Sequence, residues 1–494
     1  MPDALARLAR GEAPGAALGA RALELYAPMF ETLDAIGVAR EEVAAATVFT
    51  TGDVVAALED LTTRVVAAHD VTIDELRVDP RDGATNPRLC ELIGTVTLPQ
   101  FQRGTPPFDT EGRLEIGADG LPVVQREETV PITLTIPNVE MPEAGYPLMV
   151  YFHGSGGVAA QVIDRGPRPP GGAEAVGRGP AYMIAEHGFA AVGAALPLSP
   201  DRLPGASAIE YINFDNLGAF PGTFAQGVIE QRLLIEALRE LTIDPSALAG
   251  CAGPSLPDGA SAYRFDASAF VGLGQSMGGM YTNMVGAVEP ALSALVPTGA
   301  GGFWSYFILE TQLIPDVRML LGTYLRADGA TLTHLHPSLH LLELAWEPAE
   351  PLVFVPRIAR RPLPGFTPRP IYEPAGEGDS YFPPVVYDAM ALAYGHPQAG
   401  EVVWPSMQAS LALAGLEGVI DYPVSQNLAS EAGEPYTGVV VQYEGDGFSD
   451  PHNIFTQLEA VRYQWGCFLA TQVATGTAVV PAPAAEGTPC PTAP

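Results

Sequence analysis

The chain has 494 residues, 47% of them apolar, and carries 25 basic against 57 acidic side chains, so that its net charge is −32 at pH 7. Its length favours one large domain with an appended one, and its negative field argues against nucleic acid and anionic membranes as partners. Residues 1–15 lack the apolar segment of a signal peptide, and no run approaches the ~20 apolar residues that span a bilayer. We therefore expect either a cytoplasmic protein or the mature form of an exported one.

The hydrophobic pattern of the first 144 residues predicts a domain in which helices are followed by strands. Residues 16–38 show helical spacing, residues 43–50 are typical of a strand, and residues 54–65 favour a second helix. Further on, apolar residues alternate with threonine, as in Ile132–Ile136. Such alternation indicates a sheet with one solvent-facing side. Residues 1–144 contain no catalytic constellation, which favours a structural or substrate-positioning role for this part.

From residue 145 the pattern becomes one of buried strands that alternate with helices. This predicts an α/β fold with a mostly parallel central sheet flanked by helices. The predicted strands are Leu148–Phe152, Ala190–Leu198, Ala269–Leu273, Ala294–Pro297, Pro370–Ala375 and Gly438–Tyr443. The catalytic domain is expected to span residues 145–475, with a helical cap inserted at about 303–360. The tail, residues 476–494, is rich in proline and alanine and is expected to be weakly ordered.

One of these strands leads directly into Gly274-Gln275-Ser276-Met277-Gly278, and a helix-compatible run follows. A Gly-x-Ser-x-Gly segment between a strand and a helix is typical of a nucleophile elbow. The sharp turn crowds the backbone, so small residues are needed two positions before and after the serine. Ser276 is therefore the candidate nucleophile, and the helix behind it offers free N–H groups and the positive end of its dipole.

A serine hydroxyl needs a base that takes its proton and an acid that orients the base. Of the eight histidines, His452 lies in the loop after the last predicted strand, where catalytic groups of parallel sheets converge. The acid is expected between the serine and this histidine in the chain. Asp379 is preferred and Glu377 is the alternative, because spacing alone does not separate them. Asp446 and Asp450, in the histidine's own loop, are further alternatives.

The glycine-rich segment His153–Gly157 follows the first predicted parallel strand. Glycines there let backbone N–H groups approach a substrate and stabilise a developing oxyanion. The predicted donors are the N–H groups of Met277 and of Ser155 or Gly154. The side chain of His153 is expected to brace the loop rather than to act as a base.

Three more histidines, His334, His336 and His340, lie close together in the predicted cap. They are compatible with a metal site, but Pro337 interrupts a helical presentation and Glu343 is the only acidic residue nearby, so packing of the cap is favoured. The chain has no glycine-rich dinucleotide motif and no phosphate-binding loop. No metal and no other cofactor are expected.

The chain has four widely spaced cysteines and no Cys-x-x-Cys pair, which argues against a zinc or redox site. The cysteines are Cys90, Cys251, Cys467 and Cys490. Four cysteines in an exported protein allow two disulfides in three pairings. The bond Cys467–Cys490 is preferred, since it would pin the tail to the last helix. Four free buried thiols are the alternative.

These features, in this order, resemble the α/β-hydrolase superfamily. More closely, the chain resembles exported bacterial lipases and esterases with an N-terminal β-rich domain, of the virulence-factor type. The matching segments are Thr47–Thr51, Gly94–Pro99, His153–Gly157, Gly274–Gly279 with Ala287–Pro290, Glu377–Asp379 and His452. The resemblance implies a triad of Ser276, Asp379 and His452, no cofactor, and export to the periplasm, the outer membrane or the medium. Gln275 departs from the histidine that is commoner before the serine.

The expected function is that of a serine carboxylic-ester hydrolase that acts through an acyl-enzyme on uncharged or apolar esters, small or polymeric. Esterases, lipases and polyester hydrolases share this chemistry, and amidases are a variant of it. The alternative from another class is a non-catalytic binding protein on the same fold. Aromatic residues of the predicted cap are candidates for the acyl site, with cap packing as the alternative: Phe303, Trp304, Tyr306 and Phe307. The sequence gives no indication of oligomeric state.

Overall fold

The computed structural model describes residues 3–15, 19–49, 51–313 and 315–492. The chain divides into two compact units, Met1–Asp53 and Val54–Pro494. In the smaller unit, helices α1 (Asp3–Ala9) and α2 (Gly19–Ala35) are amphipathic and bury one apolar face each. The buried residues are Leu5, Leu8, Ala22 and Phe30. This unit has its own small core.

The helix predicted over residues 16–38 corresponds to α2, although residues 16–18 lie outside the described residues. The strand predicted over residues 43–50 is wrong for residues 43–49, which have no strand structure, and Thr50 lies outside the described residues. A run of this kind forms a strand only where a neighbour supplies the ladder of hydrogen bonds.

The larger unit is built on a twelve-stranded sheet. Its strands are β1 (Ile73–Val78), β2 (Leu89–Gln100), β3 (Arg126–Pro137), β4 (Tyr146–Phe152), β5 (Ala190–Ala194), β6 (Thr242–Ile243), β7 (Tyr263–Gln275), β8 (Leu292–Thr298), β9 (Ile371–Gly376), β10 (Gln398–Ala399), β11 (Val419–Ile420) and β14 (Gly438–Tyr443), while β12 (Leu428–Ala429) and β13 (Pro435–Tyr436) form a separate ribbon. The order is β1-β2-β3-β5-β4-β7-β8-β9-β14-β10-β11, with β6 beside β7. From β5 onward along this path every pairing is parallel, whereas β1, β2 and β3 pair antiparallel.

Helices cover both faces of this sheet. They are α3 (Val54–Ala68), α4 (Gln161–Asp164), α5 (Pro180–Ile184), α6 (Phe220–Glu240), α7 (Met277–Val288), α8 (Trp304–Glu310), α9 (Val317–Leu325), α10 (Pro337–Trp346), α11 (Pro351–Phe354), α12 (Pro384–Tyr394), α13 (Ser406–Leu411), α14 (Ile454–Gln457) and α15 (Glu459–Thr475). Leu148 and Val150 of β4 pack in the core with α3, α6 and α7, whereas Met149 and Tyr151 pack on the other face with α4, α5 and α15. Cover on both faces explains the unbroken apolar runs. The fold is the expected α/β-hydrolase class, and α8–α11 occupy the predicted cap region.

The sheet crosses the domain boundary that was predicted near residue 144. Strand β3 pairs with β5, so β1–β3 belong to the same sheet as the later strands, and the chain divides after Asp53 instead. The alternating threonines of β3 do not face solvent, since Thr133 and Thr135 are buried. The Thr135 hydroxyl accepts a hydrogen bond from the Ala191 N–H at 3.1 Å. A buried strand therefore looked half-exposed in the sequence, because the Thr135 hydroxyl is satisfied inside the sheet.

Two disulfides are present. They join Cys90 to Cys251 and Cys467 to Cys490. The second is the preferred pair, and it ties the tail to α15. Residues 478–481 of the tail are buried, and Val480 pairs with Val424. Two disulfides fit a protein that folds in an oxidising compartment. Among the described residues, no helix is both long and apolar enough to cross a bilayer.

Candidate active site

Ser276 is the single residue between β7 and α7, and its backbone has a positive φ of 61°. A positive φ in a residue other than glycine is strained, and such strain clusters at functional sites. A Cβ atom on Gly274 would overlap the Gly278 carbonyl, and one on Gly278 would overlap the Phe152 carbonyl. The crowding expected of a Gly-x-Ser-x-Gly turn therefore accounts for both glycines.

Two backbone hydrogen bonds hold Ser276 where the parallel strands end. Its N–H donates to the Thr298 carbonyl at the end of β8 (2.9 Å), and its carbonyl accepts from the Met280 N–H (3.1 Å). The residue is 5% exposed. Met277 begins α7, and the N–H groups of a first helical turn have no acceptor within the helix. The serine thus lies beside unpaired donors at the positive end of a helix dipole.

His452 lies in the 3₁₀ turn Pro451–Asn453 that follows β14, and Asp379 lies three residues beyond β9. Both side chains are buried. The His452 Nδ1 atom is 2.8 Å from Asp379 Oδ2. Because β9 and β14 are parallel neighbours, their carboxyl ends bring the two loops together.

The other acids considered from the sequence do not face the imidazole ring. Glu377 is exposed. Asp446 accepts hydrogen bonds from the Phe448 and Ser449 N–H groups at 3.1 and 2.8 Å. Asp450 accepts from the His452 backbone N–H at 2.9 Å, not from its ring. Asp379 is the carboxylate that contacts the ring.

Asp379 accepts four hydrogen bonds, two on each oxygen. The Tyr381 and Phe382 N–H groups donate to Oδ1 at 2.7 and 3.0 Å. The Tyr387 hydroxyl donates to Oδ2 at 2.6 Å, beside His452. Burial and the nearby Asp379 charge raise the pKa of Tyr387 well above its usual value, so this hydroxyl remains a donor. Sequence reasoning missed Tyr387, because its contact depends on how α12 folds back over the loop.

Two other segments of the chain lie close to the imidazole ring of His452. Tyr381 stacks on it with 4.1 Å between ring centroids and 16° between the planes. A Cβ on Gly299 would lie 3.1 Å from the ring, so the glycine backbone passes close by. Gly299 follows Thr298, which holds the Ser276 N–H. Thr298 and Gly299 therefore bring one segment of the chain against both Ser276 and His452.

The Nε2 atom of His452 has no hydrogen-bond partner among the described residues, Ser276 included. It is a buried ring nitrogen without a partner, and such a group calls for an explanation. The arrangement leaves this nitrogen available to a proton from the serine or from a substrate.

The glycine-rich loop runs directly against the elbow. A Cβ on Gly154 would lie 3.2 Å from the Ser276 Cβ. The Nε2 atom of His153 accepts from the Leu196 N–H at 2.9 Å, and its Nδ1 lies 2.8 Å from the Gly154 carbonyl. Burial lowers the pKa of His153 to about 4, so the ring is neutral and donates from Nδ1 to that carbonyl. His153 braces the loop in which Ser155 also lies.

The four aromatic cap residues differ in their surroundings. Trp304 is fully buried and donates its indole N–H to the Ala349 carbonyl at 2.8 Å. Phe303 and Tyr306 stack at 5.6 Å and are half-buried. Phe307 lies 5.1 Å from the Phe382 ring. Phe382 in turn lies 5.6 Å from the His452 ring, which connects Phe307 to the site.

The cap histidines have ordinary packing and capping contacts. His334 lies 5.1 Å from the Phe303 ring and 5.3 Å from the Tyr306 ring. His336 accepts from the Ser338 N–H at the start of α10 (3.3 Å). No group of three or more metal-ligating side chains with suitable placement occurs within the part of the chain that the structure describes.

No protein-family model matches the chain, and no curated protein sequence does. Its fold is similar to solved structures of low sequence identity. An acetyl xylan esterase from Paenibacillus sp. R4 is 13% identical with a TM-score of 0.41, over 78% of this chain and 92% of that one. Acetyl xylan esterase 1 from Thermoanaerobacterium sp. JW/SL YS485 is 11% identical with a TM-score of 0.40, over 78% and 87%. A glucuronoyl esterase from Solibacter usitatus is 11% identical with a TM-score of 0.38, over 81% and 85%.

Proposed function

We propose that the protein is a serine carboxylic-ester hydrolase with Ser276 as nucleophile, His452 as base and Asp379 as the acid that orients the base. The observation that carries this proposal is a strained serine at a strand-to-helix elbow, together with a buried histidine whose Nδ1 is bonded to a carboxylate and whose Nε2 is unpaired. Nucleophile, base and orienting acid are the three parts that acyl transfer through serine requires.

In the proposed reaction, His452 Nε2 takes the Ser276 proton while Oγ bonds to the ester carbonyl carbon. The tetrahedral intermediate collapses as its bond to the alcohol oxygen breaks, and the imidazolium gives its proton to that oxygen. Water then attacks the acyl-enzyme, with His452 accepting a proton from it, and the acid leaves as the Ser276 hydroxyl is restored. Asp379 stabilises the imidazolium in both halves without becoming protonated.

The negative oxygen of each intermediate needs donors that are already in position. We assign this role to the Met277 N–H at the start of α7 and to the N–H of Gly154 or Ser155 in the glycine-rich loop. The close approach of Gly154 to Ser276 and the bracing of the loop by His153 support the assignment. Loss of one such donor typically slows an enzyme by about 10²–10³-fold.

The proposed substrate is an uncharged or apolar ester, since a net charge of −32 repels anions. The cap supports an apolar substrate, because Met319, Tyr324 and Leu341 are 68, 78 and 67% exposed. Phe307, which reaches His452 through Phe382, is the best supported of the acyl-site candidates.

Phe303 and Tyr306 would lie farther out in such an acyl site, and Trp304 would support them from the core. Short-chain esterase, lipase and polyester hydrolase activity all remain within this proposal. We also propose that the protein is exported, which its two disulfides support.

Hydrolysis of p-nitrophenyl esters from acetate to palmitate tests the function. We expect the wild type to turn over at least one of them and Ser276→Ala to lose about 10⁴-fold or more in kcat. Ser293→Ala is the matched control, because this half-buried serine lies at the opposite end of β8 from Thr298. It should hydrolyse the ester as the wild type does. Equal rates for Ser276→Ala and the wild type would remove Ser276 from the reaction.

A further inference from the structure

The carboxylate of Asp379 uses all of its hydrogen-bond acceptor sites. An ionised carboxylate has about four acceptor sites, and each oxygen of Asp379 receives two donors. Two donors are backbone N–H groups of the adjoining turn and fix where the carboxylate points. The other two, the Tyr387 hydroxyl and the His452 ring, meet on Oδ2.

Sharing of Oδ2 has an electrostatic consequence. The Tyr387 hydroxyl, at 2.6 Å, draws negative charge toward itself from the oxygen that must stabilise the His452 imidazolium. A stronger hydroxyl donor leaves less of the carboxylate charge for the ring. The contact lies in a buried region, where such interactions exceed their strength in water.

We propose that Tyr387 is a positioning residue of the triad, which orients Asp379 and weakens the hold of its carboxylate on the His452 imidazolium. This inference rests on the proposed function, since it concerns the same base. Without the hydroxyl, Asp379 would hold the imidazolium more strongly, and the ring would stay protonated to a higher pH. The acid limb of the pH–rate profile would then move to higher pH.

Other charged and titratable groups face this pair, but none of them donates to Oδ2. Tyr381 stacks on the ring, and Asp450 accepts from the His452 backbone N–H. Arg165 acts electrostatically on Tyr381. The buried Glu373 acts on Tyr387, and burial raises the pKa of Glu373 well above its usual value. These groups are unchanged when the Tyr387 hydroxyl is removed.

The test is the pH dependence of kcat/KM for the best p-nitrophenyl ester in Tyr387→Phe and in a matched control. The control is Tyr394→Phe, because Tyr394 lies on the same helix, is equally buried and also donates one hydrogen bond of 2.6 Å, but to Asn283. We expect the acid limb of the pH–rate profile of Tyr387→Phe to shift to higher pH by about 0.5 to 1 unit, with KM nearly unchanged. Tyr394→Phe should keep the wild-type limb even if it is less stable.

A merely structural role for Tyr387 would lower stability or kcat in both variants without moving either limb. An unmoved limb in Tyr387→Phe, or an equal shift in Tyr394→Phe, would overturn the inference.

A second measurement keeps this inference separate from the proposed function. Imidazole ¹H–¹⁵N spectra of the free protein follow the His452 ring as pH changes, with its signals identified by their loss in His452→Gln. The pH at which these signals change should rise in Tyr387→Phe and not in Tyr394→Phe, whether or not esters are hydrolysed. A protein that hydrolyses no ester but shows this shift would refute the function and retain the role of Tyr387. An active Tyr387→Phe protein whose His452 signals do not shift would retain the proposed function and refute the role of Tyr387.

Discussion

Substitution of Asp379 by asparagine changes one oxygen into an NH₂ group, and the surrounding donors decide which one. If the nitrogen takes the place of Oδ1, it faces the backbone N–H groups of Tyr381 and Phe382, which cannot turn away. If it takes the place of Oδ2, it faces the Tyr387 hydroxyl, which can rotate to accept, and His452 Nδ1. The second arrangement is therefore favoured. It turns Nδ1 into an acceptor and places the ring proton on Nε2, where it prevents the ring from taking the serine proton.

We expect Asp379→Asn to lower kcat by about 10⁴-fold, the effect of a triad base held in the wrong tautomer. That factor corresponds to about 5.5 kcal/mol of transition-state stabilisation. The assay is hydrolysis of the best p-nitrophenyl ester at the pH optimum of the wild type, together with a thermal melt that checks folding.

Asp450→Asn is the matched control for this prediction. Its side chain accepts from the backbone N–H of His452, and an amide oxygen can do the same. We expect this variant to lose less than about tenfold in kcat, since the tautomer of the ring does not depend on it. An Asp379→Asn variant within tenfold of the wild type, or an equal loss in the two variants, would refute the assignment of the acid.

Three further predictions concern stability. Arg232→Met should lower the free energy of unfolding, measured by urea denaturation, by about 3 kcal/mol, because it leaves the buried Glu289 carboxylate without its partner at 2.9 Å. The control is Arg239→Met, in an exposed pair, which should change this free energy by less than about 1 kcal/mol. Burial lowers the pKa of His153 from 6.5 to about 4, so the unfolded chain binds more protons than the folded one between these pH values. The free energy of unfolding should therefore fall by about 3 kcal/mol as the pH drops from 6.5 to 4. His153→Gln should flatten that dependence, and an unchanged slope would contradict it. Cys467→Ser opens a loop with a sequence separation of 23 and should cost about 3 kcal/mol, whereas equal melting of variant and wild type would show that the bond adds no stability.

Much of the fold could be read from local patterns. Apolar runs followed by helical spacing identified the parallel strands, because strands covered on both faces are mostly apolar. The strand, turn and helix around Ser276 were visible because the crowded elbow dictates its own glycines. The boundary predicted near residue 144 separated β3 from the sheet to which it belongs. The reason is that the Thr135 hydroxyl is satisfied inside the sheet, so that the strand has the pattern of one with an exposed face.

The candidate site was predicted in outline but not in its supporting contacts. Spacing could not separate Asp379 from Glu377, because the choice depends on which side chain the turn after β9 directs inward. Tyr387 and Tyr381 had no sequence signal. The Tyr387 contact depends on how α12 folds back over the loop that carries Asp379, and Tyr381 stacks on a ring that is distant from it in the chain. Such contacts follow from the fold rather than from a local motif.

The most direct test of the central claim is covalent trapping of the nucleophile with a p-nitrophenyl phosphonate ester, followed by peptide mass spectrometry. The account predicts one adduct per chain, on Ser276, with loss of ester hydrolysis in proportion to labelling. Ser276→Ala should not be labelled, and His452→Ala should be labelled far more slowly. An adduct on another residue, or equal labelling of Ser276→Ala, would contradict the account.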